Sequence, residues 1–321
     1  MNIWLAILLI IAGTVLVLVF AGRLVRGAVG VSYGFGVSAF LVSVIFLGFD
    51  PENLTVGAVG SYESVAGIAL GSIVGAAMVA FALAFGITAL LAPMRFERVP
   101  KPVLGVPVAA VIVFGLLSLD GSLSRLDGVL LLAAYVLTVL YLIWLSRRGI
   151  DIESATKPRE KKVDSRWKAA GLMVLALAAI VAGSEMLVEG SKAVIDRLGF
   201  SDTFYGMAIL SLLVSIEEVA RELPAAKRGH PEISFGNVVG SALAFFLFNG
   251  GIIALVRPVP IGAAVLRFYL PVALITVVII SLLMWRKAVP RWAGAVLVGL
   301  YAIFVIGGYF ISRSDALGMF Q

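Results

Sequence analysis

Seven carboxylates sit in stretches otherwise built for an apolar environment: Asp50, Glu52, Glu185, Glu189, Glu217, Glu218 and Glu222. An ionisable group at the centre of a bilayer-spanning helix costs about 2.5–3.5 kcal/mol on insertion scales, so each needs a partner or a purpose. Ser211, Ser215, Glu218 and Glu222 follow one another at i, i+4, i+7 and i+11. That spacing puts all four on one face of a continuous helix. Hydroxyls interleaved with carboxylates are hard-oxygen ligands, the donor set that suits Na⁺, Ca²⁺ or Mg²⁺. The structural alternative is helix–helix hydrogen bonding, with carboxylates looking into a water pocket near a loop. Arg221 lies four residues after Glu217, the separation of an ion pair along a helix. It either neutralises Glu217 or Glu222 and leaves Glu218 available, or acts as a built-in cation competing for the site.

The elements that must position these groups repeat. Gly71–Pro93 reads GSIVGAAMVAFALAFGITALLAP, and Gly236–Pro258, 165 residues later, reads GNVVGSALAFFLFNGGIIALVRP. Gly71 matches Gly236, Gly75 matches Gly240, Gly86 matches Gly251 and Pro93 matches Pro258 without a gap. Identity concentrated at glycines is hard to obtain from apolar composition alone, so the chain contains an internal duplication. The GxxxG spacing lets helix backbones approach closely. Asn237 and Ser241 add oxygen donors to the second copy, where the first has Ser72 and Ala76. An acidic segment precedes each copy, Asp50-Pro51-Glu52 and Glu217-Glu218. Duplicated halves with acids beside small-residue helices point to a transporter whose ion site lies between the halves.

Composition agrees. Of 321 residues 61% are hydrophobic and 14% charged, with a mean hydropathy of +1.08. A soluble domain does not read this way. Apolar runs near 20 residues recur along the chain, the length a helix needs to cross a bilayer. Cysteine is absent and His230 is the one histidine, which excludes disulfides and thiolate or histidine zinc sites. The net charge of +6 is spread over short loops and is no nucleic-acid signal.

Ten spans are expected, near residues 3–20, 31–50, 66–91, 103–119, 126–145, 169–188, 203–226, 233–256, 266–285 and 292–311. Pro51 should break the second, and 53–64 is a weakly apolar stretch between spans. Residues 146–168 are charged and form a linker, which divides the chain into 1–145 and 169–321. Five spans per half is odd, so the halves must enter the membrane in opposite senses. The fold class is therefore an all-α integral membrane protein, ten transmembrane helices in two inverted five-helix repeats. With the amino terminus outside, 18 of the 25 Lys and Arg residues fall in cytoplasmic loops. This bias predicts both termini outside and a cytoplasmic linker in a multi-pass protein of the plasma or inner membrane.

At these residues the chain resembles the calcium/cation antiporter superfamily, which includes the sodium/calcium exchangers. That family carries two inverted repeats, each with a G-[TS]-S-x-P-E-L-like segment followed by G-N-x-x-G-S-N. Here the second copy reads Val214-Ser215-Ile216-Glu217-Glu218-Val219, then Gly236-Asn237-Val238-Val239-Gly240-Ser241-Ala242. The first reads Gly48-Phe49-Asp50-Pro51-Glu52-Asn53, then Gly71-Ser72-Ile73-Val74-Gly75-Ala76-Ala77. Gly183–Glu189 resembles the motif that opens the family's second half. The resemblance implies that Glu52 and Glu218 are the paired ion-binding, metal-ligating glutamates, with Ser215 and Ser241 as oxygen donors. Asp50, Ser211, Glu217, Arg221 and Asn237 are secondary candidates. The polar residue a turn beyond the GS becomes Ala80 and Phe245, the threonine-serine pair of the first repeat becomes Gly48-Phe49, and Glu217 replaces a proline.

The implied function is secondary-active antiport of Ca²⁺ or a similar cation against Na⁺ or H⁺. Its partners are inorganic cations and the lipid bilayer, not nucleic acid, and no cofactor is implied beyond the transported ions. Oligomeric state, ion identity and stoichiometry have no sequence signature here. The alternative is a non-transporting or sensor-type membrane protein on a degenerate exchanger fold. An enzyme is not expected, because GxSxG, HExxH and a second histidine are all missing.

Overall fold

A computed structural model describes residues 2–32, 44, 50–148, 153–154, 166–198, 200–215, 217–227, 229 and 231–316. Most of the second expected span, 31–50, therefore lies outside the described residues, as do His230 and most of the linker. The long elements are α1 (Ile3–Ser32), α2 (Pro51–Tyr62), α3 (Ala66–Leu91), α4 (Lys101–Leu117), α5 (Arg125–Arg147), α6 (Arg166–Leu198), α7 (Asp202–Ser215), α8 (Glu217–Lys227), α9 (Pro231–Val256), α10 (Val265–Trp285) and α11 (Arg291–Ala316). Five of these are long and apolar enough to cross a membrane among the described residues: Ala66–Leu91, Arg125–Arg147, Pro231–Val256, Val265–Trp285 and Arg291–Arg313. The chain is a helical membrane protein.

The twin helices have matching bounds. Both α3 and α9 run 26 residues, 165 residues apart. They are the centre of the molecule, 83% buried over their most apolar stretch, against 22% for α5. Exposed Trp4, Leu130, Leu137, Ile306 and Phe310 on α1, α5 and α11 suit lipid rather than water.

Glycines set the central crossing. A Cβ on Gly71 would run into the backbone of Gly206, and one on Gly206 into Gly67, so α3 and α7 meet backbone to backbone. At the next contact, a Cβ on Gly75 would lie 2.7 Å from Met207 O and 2.7 Å from Ser211 Cβ. Asp202 Oδ2 accepts from Gly67 N at 3.0 Å and ties the two helix starts together. Around this crossing the helices carry wide π turns, at Gly71–Gly75, Val79–Ala84, Tyr205–Leu210 and Leu243–Asn249. Such turns concentrate at functional segments. α1 and α6 pack along one another, with a Cβ on Gly13 placed 2.6 Å from Gly183 O and one on Gly190 placed 2.7 Å from Ala6 O.

Short strands clip the ends reciprocally. β1 (Met94–Arg98), which follows α3, pairs with β5 (Ala288–Val289), and β4 (Val259–Pro260), which follows α9, pairs with β2 (Ser122–Leu123). β3 (Glu153–Ser154) adds to β1, so part of the expected linker is ordered against the first half.

Residues 53–62 are helical, and Pro51 stands at the first position of α2, where its missing N–H costs nothing. Ser211 and Ser215 lie on α7 and Glu218 and Glu222 on α8, and residue 216 between them lies outside the described residues. Glu185 and Glu189 are not buried in the bundle: both side chains are exposed on the surface of α6, where Glu189 faces Lys192 at 3.3 Å.

Candidate functional site

Glu52 lies in the first turn of α2 and is fully buried. The positive end of the helix dipole favours a carboxylate there. Asp50 is the N-cap: Oδ1 accepts from Asn53 N at 3.0 Å and Oδ2 from Asn53 Nδ2 at 2.9 Å. Its carboxylate is thus engaged by the helix start, as a capping residue should be. Asn53 was not singled out from sequence. Its Nδ2 also donates to Ser215 Oγ at 2.8 Å, a bond across the two halves. Its Oδ1 is buried without a hydrogen-bond partner.

Glu218, on α8, is likewise fully buried. The Asn237 side chain, on α9, donates from Nδ2 to Glu218 Oε2 and to Glu222 Oε1, the latter at 3.0 Å. One amide thus holds two buried carboxylates together, which makes Glu222 a member of the site rather than a loop-end acid. Ser234 Oγ donates to Glu222 O at 2.9 Å and fixes α8 against α9. A hydrogen bond to an ionised group contributes roughly 1.5–3 kcal/mol, so this network holds the carboxylate-bearing helix firmly.

The remaining candidates divide. Ser241 is fully buried on α9, and its Oγ has no hydrogen-bond partner, so its lone pairs remain available to a ligand. Ser211 is buried too, but its hydroxyl donates to Met207 O one turn back and packs against Gly75. The side chains of Glu217 and Arg221 lie outside the described residues. Ser72, the repeat counterpart of Asn237, donates to Ala69 O at 2.8 Å and sits over Gly57. The two halves therefore present different donors: a capped Glu52 with Asn53 from one, and Glu218, Glu222, Asn237 and Ser241 from the other. Ser215 links them through Asn53.

Buried carboxylates, amides and hydroxyls are oxygen donors of the kind that hard cations take. An uncharacterized membrane protein of Methanocaldococcus jannaschii is 28% identical over 291 residues, covering 88% of this chain and 90% of that protein. The inner membrane protein YrbG of Escherichia coli is 26% identical over 318 residues, covering 96% and 98%. The solved structure of the sodium-calcium exchanger NCX_Mj, soaked with Na⁺ and Sr²⁺, superimposes with a TM-score of 0.68 at 24% identity, covering 95% of this chain and 99% of that one. The model of the sodium/calcium exchanger protein family matches residues 5–144 and 168–310, one stretch in each half, and the chain belongs to that family.

Proposed function

We propose that this protein is a secondary-active antiporter of the sodium/calcium exchanger type. It moves Ca²⁺ or a similar cation against Na⁺ or H⁺, needs no cofactor beyond the ions it carries, and works as a multi-pass protein of the plasma or inner membrane. The observation that carries the reading is the pair Glu52 and Glu218. Both are fully buried, Glu52 in the first turn of α2 and Glu218 on α8, and each of these helices precedes one of the twin central helices. Burying a carboxylate is costly unless a cation, proton or donor compensates it, which ties the charge state of the site to its cargo.

Ten spans in two inverted repeats, 1–145 and 169–321, are the architecture of this reading. The cytoplasmic linker 146–168 joins them, and both termini face outside. Reciprocal pairing of β1 with β5 and of β4 with β2 supports the inversion, because it puts the end of α3 beside one side's strands and the end of α9 beside the other's. Glu52, Glu218, Ser215 and Ser241 would ligate the cation, with Asn237 holding Glu218 in place and Asp50 holding the start of α2. Alternating access follows from α1 and α6, packed as a pair, sliding past the rest of the bundle.

Flux of ⁴⁵Ca²⁺ and ²²Na⁺ in proteoliposomes tests the proposal. Glu52→Gln and Glu218→Gln are each expected to abolish exchange while the protein still folds. Unchanged flux in both variants rejects the site.

A further inference from the structure

Asn249 is fully buried at the end of the wide-turned stretch Leu243–Asn249 of α9, and among the described residues neither its Oδ1 nor its Nδ2 has a hydrogen-bond partner. A buried amide left unsatisfied costs about 1–3 kcal/mol per group, so an Asn placed there without a ligand is a poor choice against Leu. Sequence reading passed over it as part of an apolar helix.

Its neighbours fix the direction in which this face looks. Phe246 packs on Phe114 at 5.4 Å and Gly250 also lies against Phe114, so that face is turned toward α4. Phe248 packs on Tyr135 at 5.1 Å and Gly251 lies against Leu132, so the next face is turned toward α5. Ile253, one α-turn after Asn249, faces Gly57 of α2. Ser61 Oγ, one turn further along α2, donates to Ile253 O at 3.2 Å and to Arg257 O at 3.0 Å. The two segments therefore run in the same direction and in register. One turn back from the Gly57–Ile253 contact, Asn249 is level with Asn53. Asn53 Oδ1 is the other buried amide oxygen without a partner at that level, and Asn53 is the residue bonded to Ser215. The wide turns matter here. Steps of four residues drift around an α-helix, and a π stretch, with more residues per turn, drifts the other way, so Asn249 returns toward the face that carries Asn237 and Ser241.

We infer that Asn249 is a cation ligand: its side-chain carbonyl joins Asn53 Oδ1 in the oxygen shell for Na⁺ or Ca²⁺, from the second half onto the α2 side of the site. The inference rests on the antiporter site proposed above. A neutral carbonyl is an ordinary ligand for both ions and adds no charge to a site already rich in carboxylates.

The test uses the full chain in nanodiscs, with Ca²⁺ and Na⁺ titrated separately by calorimetry and thermal unfolding followed without either ion. Asn249→Leu is expected to unfold at or above the wild-type temperature, since an unpaired amide is replaced by an apolar group of similar shape. It is also expected to weaken binding of both ions about tenfold or more. Asn249→Asp is expected to restore Ca²⁺ binding in preference to Na⁺. Wild-type affinities in Asn249→Leu, while Glu218→Gln abolishes binding, overturn the role of Asn249 and leave the site standing. A lower unfolding temperature of Asn249→Leu with unchanged affinities in Asn249→Asp marks a structural amide and equally overturns it. Unchanged binding in Glu218→Gln and Glu52→Gln removes the site itself, and this inference with it.

Discussion

The amide of Asn53 donates to the hydroxyl of Ser215 at 2.8 Å across 162 residues of chain. The same amide group donates to Asp50, so both of its hydrogens are used, and the carboxylate fixes which end of the side chain is nitrogen. Ser215 keeps a lone pair for a ligand. The bond is thus a bridge between the halves beside one of the two buried glutamates.

Replacing Asn53 with Leu breaks that bridge and leaves Asp50 and Ser215 each short of a partner. The expected loss is about 1–3 kcal/mol of stability. Thermal unfolding in detergent reads it, and a Ser215→Ala/Asn53→Leu double mutant should lose less than the sum of the single variants, because the two share one interaction.

Asn237→Leu removes the amide shared by Glu218 and Glu222. The two buried carboxylates then lose the donor they share, so destabilisation of about 2 kcal/mol or more is expected in the absence of cations. Saturating Ca²⁺ should recover part of it, because a ligand that binds the folded state alone stabilises by mass action. Unfolding curves with and without Ca²⁺ check this, and equal losses in the two conditions would contradict a shared cation site.

The crossing of α3 and α7 makes a sharp contrast between glycines. Gly71→Ala and Gly206→Ala put a methyl group into backbone of the opposite helix, which cannot give way as a flexible side chain can. Each should cost several kcal/mol, at the overpacking end of about 1–3 kcal/mol or beyond, or prevent folding. Gly105→Ala and Gly115→Ala on α4 have nothing within 4 Å of the new Cβ, and should be neutral or stabilising by about 0.5–1 kcal/mol. Expression yield and unfolding temperature of the four variants decide it.

Asp202→Ala removes the acceptor of Gly67 N at the start of the same crossing. A loss of about 1 kcal/mol is expected from the orphaned N–H. By contrast Lys192→Ala, which deletes the exposed pairs with Glu63 at 2.8 Å and Glu189 at 3.3 Å, should cost under about 1 kcal/mol. Chemical denaturation of both variants side by side ranks them.

The sequence by itself determined the repeat and the central helices, and it offers the pair of acids as candidates. Glycines at a fixed offset of 165 residues mark where backbones touch, and only a packed helix needs them there, so α3 and α9 were legible with matching ends. The resemblance to the cation antiporters singles out Glu52 and Glu218 among seven candidate carboxylates. Tertiary structure alone decided what surrounds them. Asp50 reads as a secondary site acid, and only the structure shows that its carboxylate caps the start of α2. Glu185 and Glu189 read as candidate site acids until the packing of α6 leaves both on its exposed face. Asn53, Glu222 and Asn249 join the candidate site through partners or levels on other helices, more than ten residues away in sequence, where periodicity along one helix carries no information. The wide turns that bring Asn249 around are equally silent in sequence, because their geometry is set by the helices they pack against and not by the residues within them.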